Sequence, residues 1–332
     1  MASTSCVIVG LFTLAVRGAT YTEKELHAAA ASGFPFTTMT PGYQALRTSA
    51  AWFDISDRAR LRLTGTDRIR LLHALATNAI EGLEPRQRTE TFFLTPQGRI
   101  VARCRVYIDA DSVLLETEAN SRRRLLDYLE HYIIMDDVTV EDETDSTVAI
   151  AVEGPAADSV ATDLGEAYAS SLTGLPGFWV EASKAAADEL RARLQSACIV
   201  MAEPADWETV RVENRIPIHG KDYSDANIPH ETQLLDVVSF SKGCYVGQEI
   251  IERVNSQGQV NRLLTPVEIE AGEIPEDPEL RLGDRVVGQL TSAVISPRTG
   301  KIVGFAVVRR EALAPGAVLS AGGQVAHTPP WP

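Results

Sequence analysis

Ala59-Arg60-Leu61-Arg62-Leu63-Thr64-Gly65-Thr66-Asp67 opens the stretch whose pattern decides the fold. Its first six residues alternate in polarity, as a half-buried strand does. Gly65 turns the chain, and Asp67 to Ala76 then carry apolar residues at helical spacing. The unit reads strand, turn, helix. A weaker copy occupies Thr147 to Leu164, where the run Val148 to Val152 ends in Glu153-Gly154-Pro155 and the proline suits the first turn of a helix. Two such units imply a duplicated α/β layer.

Between them, Arg88 to Leu94, Arg99 to Ile108 and Ser112 to Thr117 read as consecutive strands. Pro96-Gln97-Gly98 and Asp109-Ala110-Asp111 turn the chain, so antiparallel pairing follows. Asn120 is placed to cap a helix to about residue 134, with Leu125, Leu126, Leu129 and Ile133 on one face. Strands at 137–141, 179–182 and 199–202 and a helix at 184–196 continue the alternation. Residues 40 to about 240 are therefore α+β around antiparallel sheets. The segment 271–284 is rich in proline, glycine and acid and reads as a connection. Beyond it, 285–291, 302–308 and 317–320 are short β runs broken by turns, as in a small barrel.

The chain has 332 residues, which favours two or three domains at roughly 150 residues each. It is 45% apolar and 23% charged, the composition of a soluble globular protein. Its net charge of −14 opposes nonspecific attraction to nucleic acid or anionic lipid. The only suspicious terminal run, Val7 to Val16, is too short to span a bilayer, and no later stretch approaches about 20 apolar residues. Neither bulk nucleic-acid binding nor a membrane span is expected. Cys6, Cys104, Cys198 and Cys244 are widely separated with no CxxC pair, which fits a reducing cytoplasm, and the six histidines have no metal-ligand spacing. Cys104 and Cys198 lie in or beside apolar runs and read as core. No phosphate loop, dinucleotide fingerprint or serine-hydrolase elbow is present.

The densest unusual cluster is Lys242-Gly243-Cys244-Tyr245-Val246-Gly247-Gln248-Glu249. Two glycines let the backbone approach a ligand, and Lys242 is placed to favour the Cys244 thiolate. Residue chemistry alone equally allows a structural cysteine at a helix entrance. This octapeptide resembles the signature of the YgfZ-type folate-binding proteins, relatives of the glycine cleavage T-protein that act in iron–sulfur cluster assembly and repair. Arg211 to Asp222 is similar to the segment with which these families line a folate pocket, and Pro229-His230-Glu231 to their Pro-x-Glu element. Trp52 to Ser56, Leu63-Thr64-Gly65, Ala76-Thr77-Asn78, Leu290-Thr291-Ser292 and Val303 to Ala306 extend the likeness over roughly residues 40–320.

The resemblance implies a T-protein-like ring of two α/β subdomains with antiparallel sheets over residues 41–265 and a small β-barrel over 266–332, leaving 1–40 unassigned. It implies tetrahydrofolate as the ligand and iron–sulfur client or assembly proteins as partners; the cysteine and histidine spacing gives no expectation of a metal site. Cys244 is the expected functional thiol. Glu213 is the expected pterin anchor, because a carboxylate accepts an amide N–H and an amino group side by side. Lys242 and Arg253 are expected near the anionic folate tail, with Tyr245 and Gln248 as further contacts. One departure separates the relatives. Aminomethyl transfer in T-proteins relies on an aspartate soon after the glycine of a strand turn, and Gln97 to Arg103 contains no carboxylate. Losing a positioned acid or base costs about 10² to 10⁴ in rate, so an accessory role is expected and a folate-dependent aminomethyltransferase is the alternative.

Overall fold

The computed structural model describes residues 39–161, 164, 167–258, 260–270, 272–314 and 316–331. Val7 to Val16 and Cys6 lie outside them. In chain order the strands are β1 (Ala51–Asp54), β2 (Ala59–Thr64), β3 (Arg88–Leu94), β4 (Ile100–Ile108), β5 (Val113–Thr117), β6 (Thr139–Asp142), β7 (Thr147–Glu153), β8 (Ala167–Ala169), β9 (Gly177–Ser183), β10 (Val200–Met201), β11 (Arg262–Ile269), β12 (Glu279–Leu282), β13 (Arg285–Ile295), β14 (Ile302–Arg309), β15 (Leu319–Ala321) and β16 (Gln324–His327). They form a five-stranded sheet ordered β10-β1-β7-β9-β8, a second ordered β3-β4-β5-β2-β6, and a closed barrel β11-β14-β13-β12-β15-β16. The architecture is α+β with antiparallel sheets and a C-terminal barrel; the β1–β10 pairing is parallel, as is the isolated bridge between His219 and Tyr223.

The second sheet has two unlike faces. On one, Leu61, Leu63, Val106 and Leu115 pack with Leu71, Leu72, Leu125 and Leu129 from the helices Arg68–Leu75 and Arg122–Tyr132. Each such leucine contributes about 1.5–3 kcal/mol by leaving water. On the other face a row of charges crosses four strands, because the registers pair Glu90 with Arg105, Arg105 with Glu116, and Glu116 with Arg60. The alternation at 59–64 thus marks a strand correctly, but its polar side meets solvent only toward Thr64: Arg60 is fully buried, with Nε 3.1 Å from Glu181 Oε1 of the other sheet.

Two local expectations are corrected. The helix at 122 is entered from Ser121, while Asn120 Nδ2 donates to the His219 carbonyl at 3.4 Å. Cys104 is buried, but Cys198 is exposed, held at φ 55° in the turn after helix Ala187–Ser196.

Candidate functional site

The charged face of the second sheet forms one wall of a cavity of about 280 Å³. Arg103 and Arg105 project from β4, and Glu118 follows β5. Phe53 and Ile55 come from the first sheet and its exit, Trp207 from helix Pro204–Glu213, and Ile216 to Lys221 close the remaining side. Phe53 and Trp207 stack with ring centroids 5.8 Å apart. The loop 216–222 is held from beneath. Asp222, 1% exposed, accepts from Arg211 Nη1 and the Ile218 amide, each at 2.8 Å, and the Arg211 Nη2 reaches Ser292 of β13 at 2.9 Å. Gly220 lies at φ +85°, a conformation strained for any side chain, and a Cβ there would displace the Asn120 amide.

Charge in the wall is arranged in pairs. Burial by itself would raise the Glu90 carboxyl, but Arg103 and Arg105 outweigh it and hold the pKa at about 2. Arg103 Nη2 lies 2.6 Å from Glu90 and Arg105 Nη1 lies 3.0 Å from Glu116, which also pairs with Arg58. Several polar atoms are nevertheless left over. The Nε of Arg103 and of Arg105 and the Nε2 of His219 are buried with no hydrogen-bond partner among the described residues. Burial pushes the His219 imidazole below its usual pKa, and its Nδ1 lies 2.8 Å from the Ser121 hydroxyl. Leaving such groups unpaired costs about 1–3 kcal/mol each.

A reduced folate can be tested against this lining. Small-molecule pockets start at roughly 300 Å³ and combine apolar walls with a few convergent polar groups. The cavity supplies Phe53, Ile55, Leu172, Trp207, Ile216 and Ile218 as apolar surface, and Arg103, Arg105, Glu118 and His219 as polar groups. The donor set suits the ring end of a folate.

The residues singled out by sequence are distributed differently. Glu213 does not line this cavity. Its side chain, 1% exposed, is taken up by Arg47, the Ser296 hydroxyl and the Tyr43 hydroxyl at 3.0 Å from Oε2, so both oxygens have partners; it lines instead a separate cavity of about 180 Å³ with Ser296, Arg298 and Lys301. Lys242 is likewise committed: its Nζ donates to the carbonyls of His73, Ala76 and Asn78 where helix Arg68–Leu75 ends, and burial lowers its pKa to about 8. The ring of Tyr245 lies in the core with Phe92, Leu94 and Ile251, under the Lys242 ammonium at 5.3 Å from its centroid. Gly247, at φ +84° and packed on the Thr95 carbonyl, starts helix Gln248–Gln257; Gln248 is half-buried and Arg253 exposed. None of residues 242–253 lines the 280 Å³ cavity. Cys244 is exposed, two residues beyond the Lys242 strut.

What sequence reasoning missed is the arginine wall. Arg103 entered only through the absence of an acid from Gln97 to Arg103, and Arg105 only as part of the strand Arg99 to Ile108. Their signal was an i, i+2 pair on a strand whose hairpin and sheet neighbours carry Glu90 and Glu116 at the opposing positions.

Comparison with known proteins agrees with this architecture. The GCVT N-terminal domain model matches residues 14–196, and the glycine cleavage T-protein C-terminal barrel domain model matches residues 262–325. An aminomethyltransferase of Rippkaea orientalis is 28% identical over 306 residues, covering 83% of this chain and 82% of that protein. One from Geobacillus kaustophilus is 26% identical over 312 residues, covering 85% of each. The crystal structure of the glycine cleavage system aminomethyltransferase T from Bartonella henselae superposes with a TM-score of 0.78 at 18% identity, covering 86% of both chains. The two family models together account for both sheets' N-terminal region and the barrel, and on that ground the chain belongs to the glycine cleavage T-protein family.

Proposed function

We propose that this chain binds a reduced folate in the 280 Å³ cavity and serves as an accessory factor for iron–sulfur enzymes, with Cys244 as its functional thiol. The folate's ring system would lie against Phe53, Trp207 and Ile218 and meet the polar groups of β4, Glu118 and His219. A bound folate supplies a one-carbon-carrying nitrogen; the chain's own residues bind, orient and exclude water. The carrying observation is that the cavity wall from β4 presents Arg103 and Arg105, two cations, where one-carbon transfer calls for an acid. Cations there favour holding an electron-rich ligand over moving a proton from it. Cys244, exposed beside Gly243, is open to a protein partner, as an accessory role requires.

The second reading, a folate-dependent aminomethyltransferase, is favoured by one feature: Glu118 brings a carboxylate into the cavity from a different strand end. Two assays separate the readings. In cells lacking the native factor, the wild-type chain should restore an aconitase-type activity under oxidative load and Cys244→Ser should not. In a glycine-cleavage assay with lipoylated carrier protein, no methylene-tetrahydrofolate should form. Full rescue by Cys244→Ser together with methylene-tetrahydrofolate formation lost in Glu118→Gln would replace the first reading by the second.

A further inference from the structure

At one end of the barrel two arginines meet. β11 begins at Arg262 and β14 ends at Arg309, and the register of these strands sets the two directly opposite. Like charges in that position are destabilising. Both side chains are exposed, and neither guanidinium has a hydrogen-bond or ion-pair partner among the described residues, in a chain with 45 acidic residues against 31 basic ones. Carboxylates close by in register and sequence are already engaged. Glu279, opposite Gln289 on β12, pairs with Arg281, and Glu311, two residues past Arg309, pairs with Arg285.

The two arginines line a hollow of about 200 Å³ whose other walls include Gln289, Val286 and Val307, and no carboxylate lines it. Val286 is 40% exposed there. A guanidinium offers a planar fork of N–H groups that matches phosphate or carboxylate oxygens. Two guanidinium groups facing each other suit an anion of nearly two charges, which turns their repulsion into attraction on both sides. A phosphate monoester carries about −1.5 to −2 at neutral pH. We propose that the hollow binds a small phosphate monoester, its phosphate between Arg262 and Arg309, with Gln289 as a further donor and its apolar part against Val286 and Val307. The hollow shares no residue with the 280 Å³ cavity, so the proposal is independent of the folate reading.

The test is calorimetric titration of the full chain at low ionic strength with phenyl phosphate, inorganic phosphate and benzenesulfonate, together with melting of Arg309→Glu. Phenyl phosphate should bind about ten-fold more tightly than inorganic phosphate, because its ring leaves water against the valines. It should also exceed benzenesulfonate, a monoanion of similar shape, by about ten-fold. Arg262→Gln, which keeps one guanidinium, should weaken phenyl phosphate by about ten- to a hundred-fold. Arg309→Glu sets an opposite charge beside Arg262, so it should abolish phenyl phosphate binding while raising the Tm of the ligand-free chain by about 1–3 °C. An arginine tied into the fold would lower Tm on the same change, and that result overturns the proposal. Equal affinity for phenyl phosphate and benzenesulfonate overturns the phosphate assignment. No heat with any of the three ligands, or phenyl phosphate binding unchanged in Arg262→Gln, overturns the site. Binding confined to vesicles that contain phosphatidic acid would give the arginines to a membrane surface and overturn the small ligand.

Discussion

Replacing Glu213 by alanine separates a structural carboxylate from a ligand-binding one. In the folded chain this side chain joins three pieces: Arg47 and Tyr43 from helix Pro41–Thr48, its own helix Pro204–Glu213, and Ser296 just past β13. Removing it leaves the Arg47 guanidinium without its carboxylate, though not without any partner, since Nη1 still donates to Asn214 Oδ1 at 2.9 Å. Breaking a buried pair by deleting one member costs about 3–5 kcal/mol, and the 18% exposure of the Arg47 side chain places this pair at the lower end. The expected loss is about 3 kcal/mol, a fall in Tm on the order of 6–10 °C for a chain of this size. Urea unfolding followed by tryptophan fluorescence reads the stability, and calorimetry with folinic acid below the transition reads the affinity of the folded fraction. Wild-type stability combined with abolished folinic acid binding would refute the reasoning and return Glu213 to the ligand.

Three further outcomes follow from the geometry. Lys242→Met removes the donor that satisfies the carbonyls of Ala76 and Asn78, so it should cost about 1–3 kcal/mol and raise the rate at which iodoacetamide reaches Cys244; an unchanged rate would show that the strut does not hold the cysteine segment. In wild type, peptide mapping after alkylation should find Cys244 modified in the native state and Cys104, which is fully buried, only after unfolding; early labelling of Cys104 would contradict the packing of the second sheet. Glu90 titrates near pH 2 when folded against an ordinary 4.5, so the unfolded chain binds the proton first as pH falls. Its contribution of about 3 kcal/mol is present above pH 4.5 and is lost between about 4.5 and 2, a slope that acid unfolding should show in wild type and not in Glu90→Gln.

Local pattern carried much of the fold. Residues 88–117 declare three antiparallel strands through alternation and turn residues, and β3, β4 and β5 are neighbours in that order. Local pattern does not say that β2 pairs with β5, or that β6 closes the edge, because those partners lie dozens of residues away. In the barrel, β12 was hidden: Glu279-Leu280-Arg281-Leu282 alternates, but the prolines and acids around it make the segment look like a connection. β16 was hidden in the same way behind Gly322 and Gly323.

The site was less legible for a related reason. A charge on a strand looks solvated unless a second layer covers it, and the layer that covers Arg60 and Arg105 comes from the first sheet and from residues far along the chain. The motif at 242–249 was visible as unusual, yet its lysine, tyrosine and second glycine serve to dock the segment on helix Arg68–Leu75 and on the turn at Thr95, with Cys244 as the member left outward. A motif residue can be distinctive because it shapes a loop.

A crystal of the chain grown with folinic acid tests the central claim most directly. The account predicts ring density between Trp207 and the β4 wall, within hydrogen-bonding distance of Glu118 and Arg103. Density elsewhere, such as beside Glu213 and Ser296 or against residues 242–249, with the cavity of Trp207 and Ile218 left to water, would contradict it.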